Sequence, residues 1–408
     1  MNTGDTAWIL VSTSLVMLMT PGLAFFYGGM VRRKNILGVL MQCFITLCII
    51  SIQWILFGYS LSFAPGNKFI GSLDWCGLSG VGFAPYSDYA KTIPHQAFML
   101  LQGMFAVITP ALIVGAFAER MKFSAFLLFI LLWSTFVYDP ICHWVWGVGG
   151  WLRELGVLDF AGGTVVHING GIAALVAALI IGKRKGFNER AILPHDLPST
   201  ILGTGLLWFG WFGFNAGSAL AANELAVNAL VVTNTAAAAS GLTWACLDWL
   251  MHGKPTILGV ATGAVAGLVA ITPASGFVSP LSAIVIGILA CLCCFIAVVL
   301  LKPRIGYDDS LDVFGVHCVG GICGALATGL FASKIVNPGG ADGLFFGNPK
   351  QLFIQFVGVI IPLLYSLLVT FVIYKLLDFL IGVRVTEKEE VMGLDLTQHQ
   401  ENAYTILE

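Results

Sequence analysis

The sequence predicts an all-α polytopic membrane protein, and three observations carry that expectation. Of 408 residues, 58% are hydrophobic and only 10% are charged, against roughly a quarter charged in soluble domains. A soluble chain of this length needs far more charged surface. The apolar residues fall in long runs, and 48 glycines accompany them, which suits helices packed closely in lipid. Finally, Lys and Arg are unevenly shared between alternate loops. A net charge of -2 with no large basic cluster argues against a nucleic-acid backbone as partner.

A hydrocarbon core of about 30 Å takes roughly 20 apolar residues per helix. Eleven transmembrane helices are expected, at 7–31, 36–62, 96–118, 123–141, 162–182, 197–219, 225–251, 256–273, 277–302, 313–333 and 350–380. The eighth is short, as a tilted or broken helix would be. An odd number puts the termini on opposite sides. With the N-terminus outside, the inner loops and tail hold fifteen Lys and Arg: Arg32, Arg33, Lys34, Arg120, Lys122, Lys183, Arg184, Lys185, Arg190, Lys254, Lys302, Arg304, Lys375, Arg384 and Lys388. The outer loops hold five: Lys68, Lys91, Arg153, Lys334 and Lys350. The positive-inside rule therefore places the N-terminus outside and the C-terminus inside. The expected division is a membrane domain over 1–380 and a cytoplasmic tail over 381–408. The start, Met1-Asn2-Thr3-Gly4-Asp5, has no positive n-region and does not read as a cleavable leader.

Ten cysteines lie mostly inside apolar runs. Cys291, Cys293 and Cys294 cannot all face one partner on a helix, so buried thiols are expected rather than a metal site or a disulfide framework. No cofactor is expected. Trp144, Trp146 and Trp151 gather at one outer loop, either as an interfacial aromatic belt or as a vestibule for a cation.

Helix five begins Val166-His167-Ile168-Asn169-Gly170-Gly171-Ile172, and helix ten begins Val316-His317-Cys318-Val319-Gly320-Gly321-Ile322. Both read V-H-x-x-G-G-I, shortly after Asp159 and Asp312. Copies five helices apart run in opposite directions, which is the mark of a five-plus-five inverted-topology repeat with helix eleven added. Halves of such a fold meet near the bilayer midplane, so His167 and His317 are expected to be neighbours. One membrane histidine can be a packing residue. Two at equivalent positions point to function. Axial ligation of haem is the competing use of such a pair, but no other intramembrane histidine pair accompanies it.

At this point the residues resemble the ammonium transporter/Rhesus family. The resemblance is carried by Asp159-Phe160-Ala161-Gly162-Gly163-Thr164-Val165-Val166-His167-Ile168-Asn169, by Trp211-Phe212-Gly213-Phe214-Asn215-Ala216-Gly217-Ser218, by Asp312-Val313-Phe314-Gly315-Val316-His317 and by Pro21-Gly22-Leu23-Ala24-Phe25-Phe26-Tyr27-Gly28-Gly29. The tail, with Gly393-Leu394-Asp395, His399 and Glu401-Asn402-Ala403-Tyr404, is similar to the bacterial branch. The resemblance implies that His167 and His317 are the twin histidines of the pore. It implies that Phe105 and Phe214 are gating rings, that Phe105, Trp146 and Ser218 recruit external ammonium, and that Asp159 is the acid below that site with a deprotonation or electrostatic role; its place just before helix five equally fits a helix cap. It further implies a homotrimer in the cell (inner) membrane and a PII-type signalling protein at the cytoplasmic face. Leu101 stands where the family often has an aromatic, which removes one ring from the outer vestibule.

Ammonium is close in size to potassium, so discrimination must use what potassium lacks: N–H donors and a removable proton. Aromatic faces at Trp146 and Phe105 hold a cation by about 0.5–2 kcal/mol each. That does not offset placing a bare charge in an apolar pore, which costs several kcal/mol. The expected mechanism splits the cation. Ammonia passes the histidines and the proton takes a separate or histidine-assisted path. The alternatives are an ammonium sensor acting through a cytoplasmic partner, and a haem-binding membrane redox subunit. No enzymatic activity is expected of a transporter.

Overall fold

The computed structural model describes residues 1–189 and 191–404. Arg190, one of the cations assigned to the inner side, and tail residues 405–408 lie outside the described residues. Among the described residues the chain is helical, with no named strand.

The main helical segments follow in order: α1 Thr3–Met30, α2 Arg33–Phe63, α3 His95–Phe117, α4 Phe123–Trp133 continued by Asp139–Trp146, and α5 Gly163–Ile181. Then come α6 Leu197–Gly217, α7 Glu224–His252, α8 Ile257–Ile271, α9 Pro280–Ile305, α10 Phe314–Phe331 and α11 Pro349–Ile381. The tail adds α12 Glu387–Met392 and α13 Leu394–His399. A helical segment thus coincides with each expected range. Nine of them, among the described residues, are long and apolar enough to cross a membrane. The segment α8 is apolar but only 15 residues long, matching the expectation of a short eighth helix. Large apolar side chains such as Leu128, Phe136, Leu242, Leu368 and Phe371 stand exposed on the flanks. In water such a surface would aggregate. Together with the apolar spans, it marks a multi-pass membrane protein.

Local sequence explains where these helices start. Asn2, Asp196, Asn223, Thr256 and Ser279 each accept the backbone N–H three residues on, which satisfies a donor the helix leaves free. Thr386 and Glu389 form a reciprocal capping box at α12. Glycine explains how closely the helices pack. A Cβ at Gly22 of α1 would lie 3.0 Å from Leu206 Cβ of α6, so the two helices touch almost backbone to backbone.

The loops assigned to the inner side converge on one buried charge network. Glu119, after α3, accepts the Arg32 backbone N–H at 2.6 Å and pairs with the Arg32 and Arg184 guanidinium groups at 2.8 and 3.3 Å. Arg184 also pairs with Asp308 at 2.8 Å. Arg120 donates to Gly182 O, Ala118 O, Ala116 O and Ser310 Oγ. The tail docks on the same end. Leu394 N donates to Asn35 Oδ1 and Gly38 N to Asp395 Oδ1, both at 2.8 Å.

Candidate functional site

The two V-H-x-x-G-G-I segments meet at the centre of the bundle. Each histidine sits on a π turn, Gly163–Ile168 in α5 and Phe314–Cys318 in α10, a local widening that recurs at functional sites. The second glycine of each motif packs on the other motif just past its histidine. A Cβ at Gly171 would run into the Cys318 backbone, and one at Gly321 would lie 3.0 Å from Gly163 O and 3.1 Å from Ile168 N. This reciprocal contact brings His317 Nδ1 within 3.4 Å of His167 Nδ1. The ring centroids are 5.3 Å apart with planes 25° from parallel. In such a contact one imidazole donates and the other accepts. His167 is 1% and His317 4% exposed, and His167 Nε2 has no partner.

The surroundings are greasy and tight. The Trp211 ring stacks on His167 at 5.4 Å, fixed by its Nε1–H donating to Thr272 Oγ1 at 2.8 Å. The cavity shared by both histidines, with Leu23, Phe26, Ile108 and Leu112 among its walls, has a volume of about 10 Å³. That is the space of about one water-sized probe. A molecule the size of ammonia fits and a hydrated cation does not. Nor does a porphyrin, so the pair does not suit haem ligation. Phe26 and Val265 continue into a second cavity of about 40 Å³ that His317 shares with Asp312 and Thr262.

On the other side of the histidines lies a vestibule of about 250 Å³, lined by Trp146, Asp159, Ser218, Gln102 and several aromatic rings. Phe105 and Phe214, both fully buried with ring centroids 4.3 Å apart, continue the ring contacts from Trp146 at the vestibule to His167, whose ring lies 6.0 Å from Phe214. The Phe105 ring meets Trp146 edge to face at 5.8 Å. Ser218 Oγ donates to Phe214 O at 2.9 Å, which leaves its lone pairs for another donor. Leu101 is fully buried. The aromatic walls come instead from Phe63, Tyr89, Phe98, Phe160 and Phe277, none of which the sequence reading named for this role.

Asp159 is a cap. Its carboxylate accepts the backbone N–H groups of Gly162, Gly163, Thr164 and Val165 at 2.6–3.1 Å, and its carbonyl accepts the Trp146 indole at 2.8 Å. Burial pushes its carboxyl above the ordinary range, against the pull of those four donors. The structure corrects its repeat partner. Asp309, not Asp312, stands eight residues before His317, as Asp159 stands eight before His167. Its carboxylate caps α10 by accepting the Phe314 N–H at 2.7 Å. Asp312 instead holds Lys302 and has a positive φ of 62°. Spacing to the histidine was the usable signal, and proximity misled.

Two more buried polar residues escaped the sequence reading. Asp139, in the middle of an apolar run, is fully buried and accepts from Gln53 Nε2 at 2.7 Å and Ser62 Oγ at 3.2 Å. An acid inside an apolar run was signal enough. Gln102, in the stretch before Phe105, is buried and lines the vestibule, and its spacing carries no signal beside the aromatic pattern of that stretch.

The chain as a whole has relatives among known proteins. A model of the Ammonium Transporter Family matches residues 7–404. An ammonium transporter of Bacillus subtilis (strain 168) is 54% identical over 404 residues, covering 99% of each chain. The solved structure of Candida albicans Mep2 superposes with a TM-score of 0.91 at 38% identity, covering 99% of this chain and 93% of that one. A structure named Sensor Amt Protein superposes with a TM-score of 0.89 at 30% identity, covering 97% and 98%. Matched by the family model over residues 7–404 and 54% identical to a transporter of that name along almost its whole length, the chain belongs to the ammonium transporter family.

Proposed function

We propose that this protein carries ammonium nitrogen across a membrane as ammonia, through a pore whose narrowest part is lined by His167 and His317. The observation that carries the reading is the 3.4 Å histidine pair facing a cavity of about 10 Å³. A dehydrated cation there would lose several kcal/mol of hydration with almost nothing to replace it. Ammonium avoids that cost by passing its proton to the imidazole pair, whose accepting nitrogen takes it up, and crossing as ammonia. Potassium cannot.

Recruitment is assigned to the vestibule. Trp146 and Phe105 offer π faces, and Ser218 offers an acceptor. The Phe105–Phe214 pair has to part for each passage. All the lone pairs of Asp159 are engaged by backbone donors, so it acts through its charge and as a cap. The imidazole pair, one donating and one accepting, suits a proton relay.

The proposed setting is eleven crossings in a five-plus-five inverted repeat plus α11, with N-terminus outside and tail inside. Two observations support it: the reciprocal glycine contacts of the two motifs, and the gathering of inner-side cations on one network. The proposal includes assembly as a homotrimer in the cell (inner) membrane, with the cytoplasmic face and its docked tail open to a PII-type protein. A sensor acting through a cytoplasmic partner is the second reading, favoured by the likeness to Sensor Amt Protein. Transport by the purified chain without any partner separates the two.

The test is electrical recording on proteoliposomes under ammonium and potassium gradients. Ammonium is expected to give a response and potassium none. Replacing His167 and His317 together by apolar residues should abolish the response or admit potassium. An unaltered ammonium response with potassium still excluded would rule out the relay.

A further inference from the structure

Gln102 has no part in the mechanism above. It stands on α3 one turn before Phe105 and one turn after Phe98, so the three share a face of that helix. Phe98 and Gln102 line the vestibule with Trp146, Asp159 and Ser218, and Phe105 closes the floor against Phe214. The residue is only 9% exposed, and its buried Oε1 has no hydrogen-bond partner.

That is unusual for a buried amide. Gln355 of α11 shows the ordinary case. Its Nε2 donates to Leu158 O and Ala325 O, and its Oε1 accepts from Leu158 N. Nothing comparable fixes Gln102 among the described residues. Turning its amide by half a revolution, so that Oε1 faces the cavity, therefore breaks no hydrogen bond. The group is held in place by packing and left free to meet a donor.

Ammonium entering the vestibule brings four N–H donors. The Trp146 and Phe105 rings face two of them. Ser218 Oγ, whose own proton goes to Phe214 O, accepts a third. We propose that Gln102 Oε1 accepts the fourth, as a substrate-binding residue that helps the vestibule tell ammonium from an alkali cation. Two oxygens and two rings satisfy four directed N–H groups. The same two oxygens are too few to replace the hydration shell of potassium. This inference rests on the reading of the vestibule as the entry site for ammonium.

The experiment measures initial ammonium flux against concentration in proteoliposomes for the wild type, Gln102→Met and Gln102→Glu, with potassium as competitor. Each variant is first checked for wild-type elution and melting. Gln102→Met keeps the length and removes the acceptor. It should raise the half-saturating ammonium concentration about tenfold, as expected for one lost hydrogen bond to a charged group, with the maximal rate little changed. Gln102→Glu replaces a neutral acceptor by a charge. It should lower the half-saturating concentration and make potassium a competitor. A Met variant with unaltered half-saturation, or one that loses only maximal rate, overturns the proposal. If the Met variant does not fold, the Glu variant decides, and absence of potassium competition overturns it. A wild type without ammonium flux sinks the entry-site reading itself, whereas wild-type flux with an unaltered Met variant sinks only the role of Gln102.

Discussion

The Asp159 carboxylate satisfies four backbone N–H groups that the start of α5 would otherwise leave buried and unpaired. An Asp159→Asn amide has one oxygen to offer and turns an N–H2 toward two donors. Each orphaned buried donor costs about 1–3 kcal/mol. The variant is therefore expected to melt several degrees lower in detergent, measured by a thermal shift. Its flux separates the two remaining roles. A folded Asp159→Asn protein with wild-type ammonium flux would leave capping as the whole role, and a folded one without flux would establish the charge as necessary. His167 and His317 were legible from the sequence because the same five-letter pattern surrounds both. Gln102 was not legible, since a glutamine near an aromatic has no distinctive spacing and only the structure shows that its oxygen lacks a partner.

Among the elements, α5 and α10 meet only because Gly171 and Gly321 have no side chain. A methyl at Gly321 would sit 3.0 Å from Gly163 O and from Ile168 Cγ1, so the facing turn must give by a few tenths of an ångström. Gly321→Ala is expected to cost about 1–3 kcal/mol and to lower ammonium flux by moving His317 away from His167. Gly171→Ala, which meets the Cys318 backbone, should be worse. Gly205 of α6 supplies the control, because a Cβ there meets nothing within 4 Å. Gly205→Ala should leave flux intact and raise stability by about 0.5–1 kcal/mol, the helix-propensity gain. Melting curves and flux assays on the three variants check this ordering. The paired glycines could be read in sequence as a sign of close approach. The residues they approach could not, because each contact joins positions some 150 apart along the chain.

For the whole molecule, the buried charge network ties α1, α3, α5, α10 and the tail together at one end. Burial by itself would raise the Glu119 carboxyl, but Arg184 and Arg32 outweigh it and hold it below its ordinary value. Burial acts the same way on Asp308, and Arg184 and Arg120 again reverse it. Because both folded values lie below the unfolded ones, the stabilisation is fully present above the unfolded range near pH 4–4.5. It is lost as pH falls through the lower folded values. Melting in detergent should therefore be flat from pH 7 to about 5 and drop steeply below 4. Glu119→Gln leaves Arg32 and Arg184 without their carboxylate. It should cost about 3–5 kcal/mol at pH 7 and flatten the acid limb. A melting temperature that ignores both changes would mean the network contributes nothing to stability.

Sequence alone was sufficient for the membrane class, the positions of the helical segments and the central histidine pair. Hydrophobic runs, Lys and Arg asymmetry and a repeated motif are all properties of the chain in one dimension. The tertiary structure decided which groups face each other. It showed that Asp309 rather than Asp312 mirrors Asp159, that Phe105 and Phe214 close on one another, and that Leu101 lies buried while other rings wall the vestibule. It also revealed the unpartnered oxygen of Gln102. The reason is physical. Burial in lipid selects residue type along the chain, whereas hydrogen bonds and ring contacts depend on side-chain directions that are set only when distant helices pack.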